Sequence, residues 1–347
     1  MILTDLSLQH FRSYAKRTFV FAPTTTLIMG PNATGKTNIL EAIMMLATGK
    51  SFRADIDREV IAWGQELGRV KATIGDTKLE FLVTTGLAGG KKAPLKKYLV
   101  NGIARRQIDF IGNLRAVLFW PEHLELVTDS PSLRRKYLDG VLVQVDREYR
   151  RNLMSYERGL RQRNRLLDLI NEGKATRNQL LFWNQLLIKA GGYITDKRAA
   201  FMNFINEYHM PGVMYHVEYG KSVISESRLE QYKDEEVSAK ATLVGPHRDD
   251  FIVTKNSLDL SKYGSRGEQR LAILWLKLAE LAYIEKESGE RPLLILDDIF
   301  SELDIEHREL VLDLLGKQQT IVSSAEEEVV DLFKKHKISA EIIRLSV

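Results

Sequence analysis

Eight residues constrain this chain more than any others: Gly30-Pro31-Asn32-Ala33-Thr34-Gly35-Lys36-Thr37. They fit the pattern G-x-x-x-x-G-K-[ST], with a short β-run (Thr25 to Met29) before it and a helical stretch (Lys36 to Ala47) after it. The two glycines let the backbone curl so that successive amides point at phosphate oxygens, and the helix opening near Lys36 adds its positive dipole end. In such a loop the lysine reaches the β- and γ-phosphates of a nucleoside triphosphate, and the hydroxyl that follows holds Mg²⁺. Gly30 through Thr37 are therefore the expected ATP contacts, with Lys36 also acting in catalysis and Thr37 a magnesium ligand.

A second element fits the first. Leu293-Leu294-Ile295-Leu296 is a continuous apolar run of the kind a parallel sheet buries on both faces, and it ends in Asp297-Asp298. At the carboxyl edge of such a sheet the two carboxylates arrive beside the phosphate loop. Asp297 is then placed to hold Mg²⁺, directly or through water, and Asp298 to act as general base toward the attacking water. An ordinary aspartate is a weak base near neutral pH, so burial or a neighbouring charge has to tune it.

The rest of the chain bounds the architecture. Its 347 residues suggest two domains or one domain with a large insertion. There is no cysteine, which excludes disulfides, thiolate metal sites and cysteine nucleophiles and agrees with a reducing cytoplasm. Met1 to Tyr14 has no apolar signal core, and no apolar run reaches membrane length. The most apolar helical stretch, Leu271 to Ile284, carries Lys277 and Glu280 and has the length of a core helix. From Glu59 to Arg106 the pattern is strand and turn, with hairpin signals at Gly75-Asp76 and Asn101-Gly102. After Pro131 it turns helical: Leu138, Val141, Val145, Tyr149, Leu153, Tyr156 and Leu160 recur at helical spacing, and a second long pattern runs from Leu180 to Ile205. The expected break between them is Asn171 to Lys174. The fold class is thus α/β, a P-loop NTPase head with a mixed sheet and an antiparallel β lobe, plus an inserted α-helical arm. We place the head at 1–125 and 212–347 and the arm at 126–211.

Ser265-Arg266-Gly267-Glu268-Gln269-Arg270 opens the apolar helix that precedes the acidic strand. In isolation it is a helix cap. The order of phosphate loop, this segment, helix and acidic strand resembles the ABC-type ATPase heads of the RecF and SMC proteins. Asp297 to Asp304, an Asp-Asp-x-Phe-Ser-Glu-Leu-Asp run, is similar to the RecF pattern, in which Ser301-Glu302-Leu303-Asp304 is the D-loop. Lys36 to Ile43, Lys50-Ser51-Phe52-Arg53, Pro121-Glu122-His123-Leu124, Arg134 to Asp139 and Gly245-Pro246-His247-Arg248-Asp249-Asp250 add to the likeness, which brings Asn38 into the expected ATP contacts. A short arm, in place of a long coiled coil, favours RecF over SMC. The resemblance implies that Ser265, Gly267 and Glu268 of one subunit cap the ATP held by another in an ATP-dependent homodimer. It also implies partners in the RecR and RecO mediator system, with DNA repair, replication restart and recombinase loading as the setting. Arg266 departs from the general pattern, which has glycine there. The last run is either a turn with a capped strand or, by resemblance, a neighbour of the nucleotide, and Ser323 and Ser324 occupy a γ-phosphate sensor position.

DNA is the expected macromolecular partner. Between Arg134 and Arg165 nine Arg and one Lys face four acidic residues, a surplus of +6 against +4 for the whole chain. Arg150, Arg151, Arg158, Arg161, Arg163 and Arg165 are candidates for a phosphate-binding helix face, where the planar guanidinium suits phosphate. Lys91 and Lys92, in a glycine-rich hairpin, are a second candidate. No aromatic ladder interleaves, so contact is expected with the backbone and independent of sequence, to single- or double-stranded DNA. The alternatives are an ABC-type ATPase subunit of a non-DNA system, such as a transporter, and a non-catalytic DNA-binding protein with a relic loop.

Overall fold

The computed structural model describes residues 1–128, 130–302 and 305–346, apart from the side chains of Glu302 and 305–307. In chain order the elements are β1 (Leu3–Phe11), β2 (Tyr14–Val20), β3 (Thr25–Met29), α1 (Lys36–Thr48), β4 (Leu67–Ile74), β5 (Thr77–Thr84), β6 (Leu87–Ala88), β7 (Lys91–Lys92), β8 (Lys96–Val100), β9 (Ile103–Arg105), α2 (Gln107–Phe110) and β10 (Ala116–Phe119). Then come α3 (Glu125–Thr128), α4 (Pro131–Val145), α5 (Arg147–Asn171), α6 (Leu181–Glu207), β11 (Tyr215–Gly220), α7 (Glu226–Gln231), α8 (Lys233–Ala239), β12 (Asp250–Lys255), β13 (Leu258–Asp259) and α9 (Leu260–Tyr263). Last are α10 (Arg266–Ser288), β14 (Leu293–Asp297), α11 (Ile299–Glu302), α12 (Ile305–Leu312), β15 (Thr320–Ser324), α13 (Glu328–Lys335) and β16 (Ala340–Arg344).

The chain divides into two compact units, Met1–His123 with Glu280–Val347, and Leu124–Ala279. Among the described residues the first holds two large sheets and a two-stranded β6-β7 ribbon. One is antiparallel, in the order β2-β1-β4-β5-β8-β9, and the other is parallel, in the order β10-β14-β15-β3-β16. The two strand senses are thus separated between sheets. β3, β14 and β15 are buried at every residue, and each fully buried Leu, Ile or Val contributes about 1.5–3 kcal/mol. Asn101 and Gly102 both have positive φ, 52° and 79°, as a two-residue hairpin turn between β8 and β9 requires. At the other expected hairpin only Gly75 does, at 54°.

The second unit contains the arm and more. α5 and α6 pair as a long antiparallel hairpin, broken at Glu172–Lys174 as the sequence suggests. Residues 212–279, which the sequence reading gives to the head, cluster here instead, because β11 lies against α6 and β12 against α4. Tyr149 and Tyr156 are buried. The Gly245–Asp250 run is a short 3₁₀ turn leading into β12, wrapped by arm side chains. Arg134 grips Asp250 with two bonds of 2.6 and 2.9 Å. Arg198, 2% exposed, bonds the carbonyl of Pro246 at 2.7 Å, Asp249 at 3.0 Å and Asp139 at 2.8 Å. Asp249 also accepts from the Tyr219 hydroxyl and the Ser222 amide. In this unit the run therefore has a full set of structural partners.

His247 belongs to the same knot. Its Nε2 lies 2.9 Å from the Thr242 carbonyl, which can only accept, so Nε2 carries the proton and Nδ1 accepts from the Tyr156 hydroxyl at 2.8 Å. Burial, foremost, pushes its pKa down from the ordinary 6.5 to about 4. Between those values the unfolded chain takes up a proton that the folded chain refuses. The contribution is whole above pH 6.5 and is lost as pH falls toward 4, on the order of 3 kcal/mol. The urea stability of His247→Asn should therefore fall less steeply than that of the native chain between pH 6.5 and 4. Equal slopes would show that His247 does not stay neutral in the fold.

Candidate nucleotide site

The first unit builds the phosphate loop at the carboxyl end of β3. Ala33 and Gly35 have positive φ, 67° and 95°, which turns the loop amides inward before α1 begins. Neither motif glycine has room for a side chain. A Cβ at Gly30 would lie 2.7 Å from the Leu345 carbonyl oxygen, and one at Gly35 would lie 2.7 Å from the Tyr14 hydroxyl. The Thr34 hydroxyl donates to the Pro31 carbonyl at 2.9 Å. Lys36 is buried, and its Nζ donates to the Gly30 and Pro31 carbonyls at 2.7 and 3.0 Å. Burial holds its pKa below the ordinary range, while the charges of Asp298 and Asp297 pull the other way.

Residues outside the motif brace this loop. The β1–β2 turn, where Arg12 has φ 51°, brings Arg12, Ser13 and Tyr14 to it. Arg12 forms a two-pronged pair with fully buried Glu41 of α1, at 2.8 and 2.7 Å, and Ser51 donates to the same carboxylate at 2.5 Å. Tyr14 bonds the Gly35 carbonyl at 3.2 Å. Asn38, an expected nucleotide contact, donates to the Ser13 hydroxyl at 3.0 Å and accepts from Arg53 at 3.1 Å. The charge of Arg53 also reaches Asp297. The sequence reading quotes Arg53 without a role, because nothing in its local pattern ties it to residues so distant along the chain.

The acidic strand arrives as expected. β15 lies between β14 and β3, and the register sets Asp297 opposite Ser323 and Ser323 opposite Ile28. Asp297 is buried; its Oδ1 accepts from the Ser323 hydroxyl at 2.5 Å, and Thr37 is hydrogen-bonded to the same carboxylate. Burial raises its pKa, against the pull of those two hydroxyls. Asp298 has φ 51°, a left-handed backbone uncommon outside glycine, held by its amide donating to the Ser323 carbonyl at 3.1 Å. Its Oδ1 is buried without a hydrogen-bond partner. Ser324 stays in the strand edge, where its carbonyl accepts from the Gly30 amide at 3.3 Å. Of the expected D-loop, Ser301 bonds the Asp298 carbonyl at 2.7 Å, while Leu303 and Asp304 lie outside the described residues.

The second unit carries the signature segment. Ser265 and Glu268 form a reciprocal cap at the start of α10: the Ser265 amide and hydroxyl donate to the Glu268 carboxylate at 2.9 and 3.0 Å, and the Glu268 amide donates back at 3.3 Å. Ser265, Arg266 and Gly267 are exposed, and a Cβ on Gly267 would meet nothing within 4 Å.

The arginine set needs correction. Arg163 is 2% exposed and is consumed inside the unit by Glu236 (2.6 Å), Thr242 (2.8 Å) and Asn184 (2.8 Å). Arg150 is also buried. Helical periodicity turns both away from solvent, Arg163 against Asn184 of α6 and Glu236 of α8, which the sequence could not show. Arg151, Arg158, Arg161 and Arg165 are exposed and fall within about 80° of one another around α5 at 100° per residue. Lys91 and Lys92 are exposed on β7.

Residues 2–340 match the RecF/RecN/SMC N-terminal domain family. The protein is 35% identical to the DNA replication and repair protein RecF of Lachnoclostridium phytofermentans, over 93% of this chain and 92% of that one. It is 37% identical to RecF of Chloroflexus aurantiacus, over 94% of each. The chain belongs to the RecF family. The solved recombination mediator protein RecF-ATPrS of the RecFOR pathway superposes with a TM-score of 0.85 at 28% identity, covering 99% of this chain and 96% of that one. The RecF fold is a P-loop ABC-type head, and the Smc head domain of Pyrococcus yayanosii, at 14% identity and a TM-score of 0.52, shares that fold.

Proposed function

We propose that this RecF-family chain is an ATP-driven DNA clamp of recombinational repair and replication restart. The observation that carries the reading is the row at the sheet edge: Thr37, Asp297 and Ser323 hydrogen-bonded together, with the Asp298 carboxylate oxygen beside them buried and unpartnered. These are hard oxygen donors of the kind Mg²⁺ takes. Thr37 and Asp297 would hold the ion, which when bound neutralises phosphate charge. Gly30 to Thr37 would wrap the triphosphate, with Asn38 at its edge, and Lys36 would turn from the loop carbonyls to the β- and γ-phosphates. Asp298, its backbone set by Ser323, would orient the attacking water and accept its proton.

Hydrolysis in this reading needs a second copy. The partner subunit's Ser265 and the partner subunit's Gly267 supply a hydroxyl and an unobstructed backbone for the γ-phosphate, so ATP closes the dimer and slow hydrolysis opens it. Arg151, Arg158, Arg161 and Arg165 offer DNA a stripe of charge without aromatic stacking, which suits sequence-independent backbone contact. RecFOR, the pathway of the solved relatives, supports RecR and RecO as partners. No described helix is long and apolar enough to cross a membrane.

Asp298→Asn should lower ATP turnover at least about tenfold and lengthen the life of the ATP-bound dimer, while ATP affinity stays within a few-fold. Unchanged turnover would remove Asp298 from the mechanism. For DNA, Arg158→Ala with Arg165→Ala should reduce the slope of log affinity against log salt by about two on duplex. A slope equal to that of the native chain would place the DNA surface elsewhere.

A further inference from the structure

Glu268 is held at more points than a helix cap requires. Its Oε2 accepts both Ser265 donors, its Oε1 accepts from Lys255 Nζ at 2.7 Å, and its carbonyl accepts from the Tyr215 hydroxyl at 3.0 Å. Lys255 and Tyr215 face each other across the β11–β12 pair, so one strand pair grips both ends of the glutamate. Lys255 is also the last residue of β12 before a two-residue turn, Asn256-Ser257, with φ of 51° and 64°, that closes onto Leu258. A serine in left-handed backbone is a strained choice, and such strain gathers where a side chain has to be fixed. At the other end of β12, Asp250 is clamped by Arg134 of α4, and Asp249 beside it by Arg198 of α6.

The chemistry turns on a single proton. The Ser265 hydroxyl has one to donate, and in this structure it goes to Glu268. A phosphate oxygen would need the same proton. Lys255, first among the causes, holds the Glu268 carboxyl down to about 2. With Lys255 already bonded to Oε1 at 2.7 Å, the carboxylate shares its charge and accepts less strongly at Oε2, so the hydroxyl leaves it more readily.

We propose that Lys255 is a positioning residue for nucleotide-dependent dimerisation: by neutralising Glu268 it lets the Ser265 hydroxyl turn from that carboxylate to a phosphate oxygen presented by a second copy of the chain. The inference rests on the dimer reading above and adds to it the residue that sets the signature's donor. Because β12 is anchored on α4 and α6, the same contact ties the signature to the arm that bears the exposed arginines.

The test is the ATP concentration that gives half-maximal dimer, read by light scattering for the full chain. Lys255→Met should need about tenfold more ATP, the worth of one charge-assisted contact, and Lys255→Arg should stay within about threefold. In a Glu268→Gln background Lys255→Met should add nothing, because the lysine acts through that carboxylate. The thermal midpoint of Lys255→Met, measured alongside, should match the native chain, since the pair is partly exposed. A native-like ATP requirement in Lys255→Met, or a full further loss in the Glu268→Gln background, would overturn the proposal. A native chain that never dimerises with ATP would defeat the dimer reading itself, and this inference with it.

Discussion

Register among the three parallel strands β3, β15 and β14 is the constraint on which the nucleotide site depends. Parallel strands advance together, so the end of β3 fixes where the phosphate loop begins, and the end of β14 fixes where the two aspartates stand. β15 between them carries Ser323, whose hydroxyl and carbonyl hold Asp297 and the amide of Asp298. The antiparallel sheet contributes by a different route. Its β1–β2 turn sends Arg12 to Glu41 and Tyr14 to Gly35, so the loop is braced from outside its own motif.

The second unit answers a different physical problem. It buries charge: Arg198, Arg163, Asp249 and Glu236 are all nearly inaccessible. The Arg163 and Arg198 guanidiniums are each matched to carboxylates and to hydroxyl or carbonyl oxygens, which is what burial of charge demands. Removing one member would leave another uncompensated. The Gly245–Asp250 run is the centre of that network, and β12, which follows it, carries the geometry on to Lys255 and the start of α10.

Much of this could be read from the residues alone. The phosphate loop, the acidic strand, the arm helices with their break after Asn171 and the Asn101-Gly102 hairpin each have a local pattern tied to a backbone requirement. What escaped was set by packing between distant segments. Arg163 looks like its neighbours on the chain, yet two residues, about 200° around the helix, separate the exposed Arg161 and Arg165 from its buried ion pair with Glu236. Arg53 and Glu41 show no motif of their own; only folding brings them to Asn38 and Arg12. The arm's extent was missed because nothing in 212–279 reveals that its strands rest on α4 and α6.

ATP is expected to join two copies of the chain through the signature segment. Solution mass with and without Mg-ATP tests it most directly, for the native chain and for Ser265→Arg, which fills an exposed position at the start of α10. The expected result is a monomer that becomes a dimer only with ATP, and a variant that stays monomeric in both conditions. A mass indifferent to ATP, or a variant that dimerises like the native chain, would contradict it.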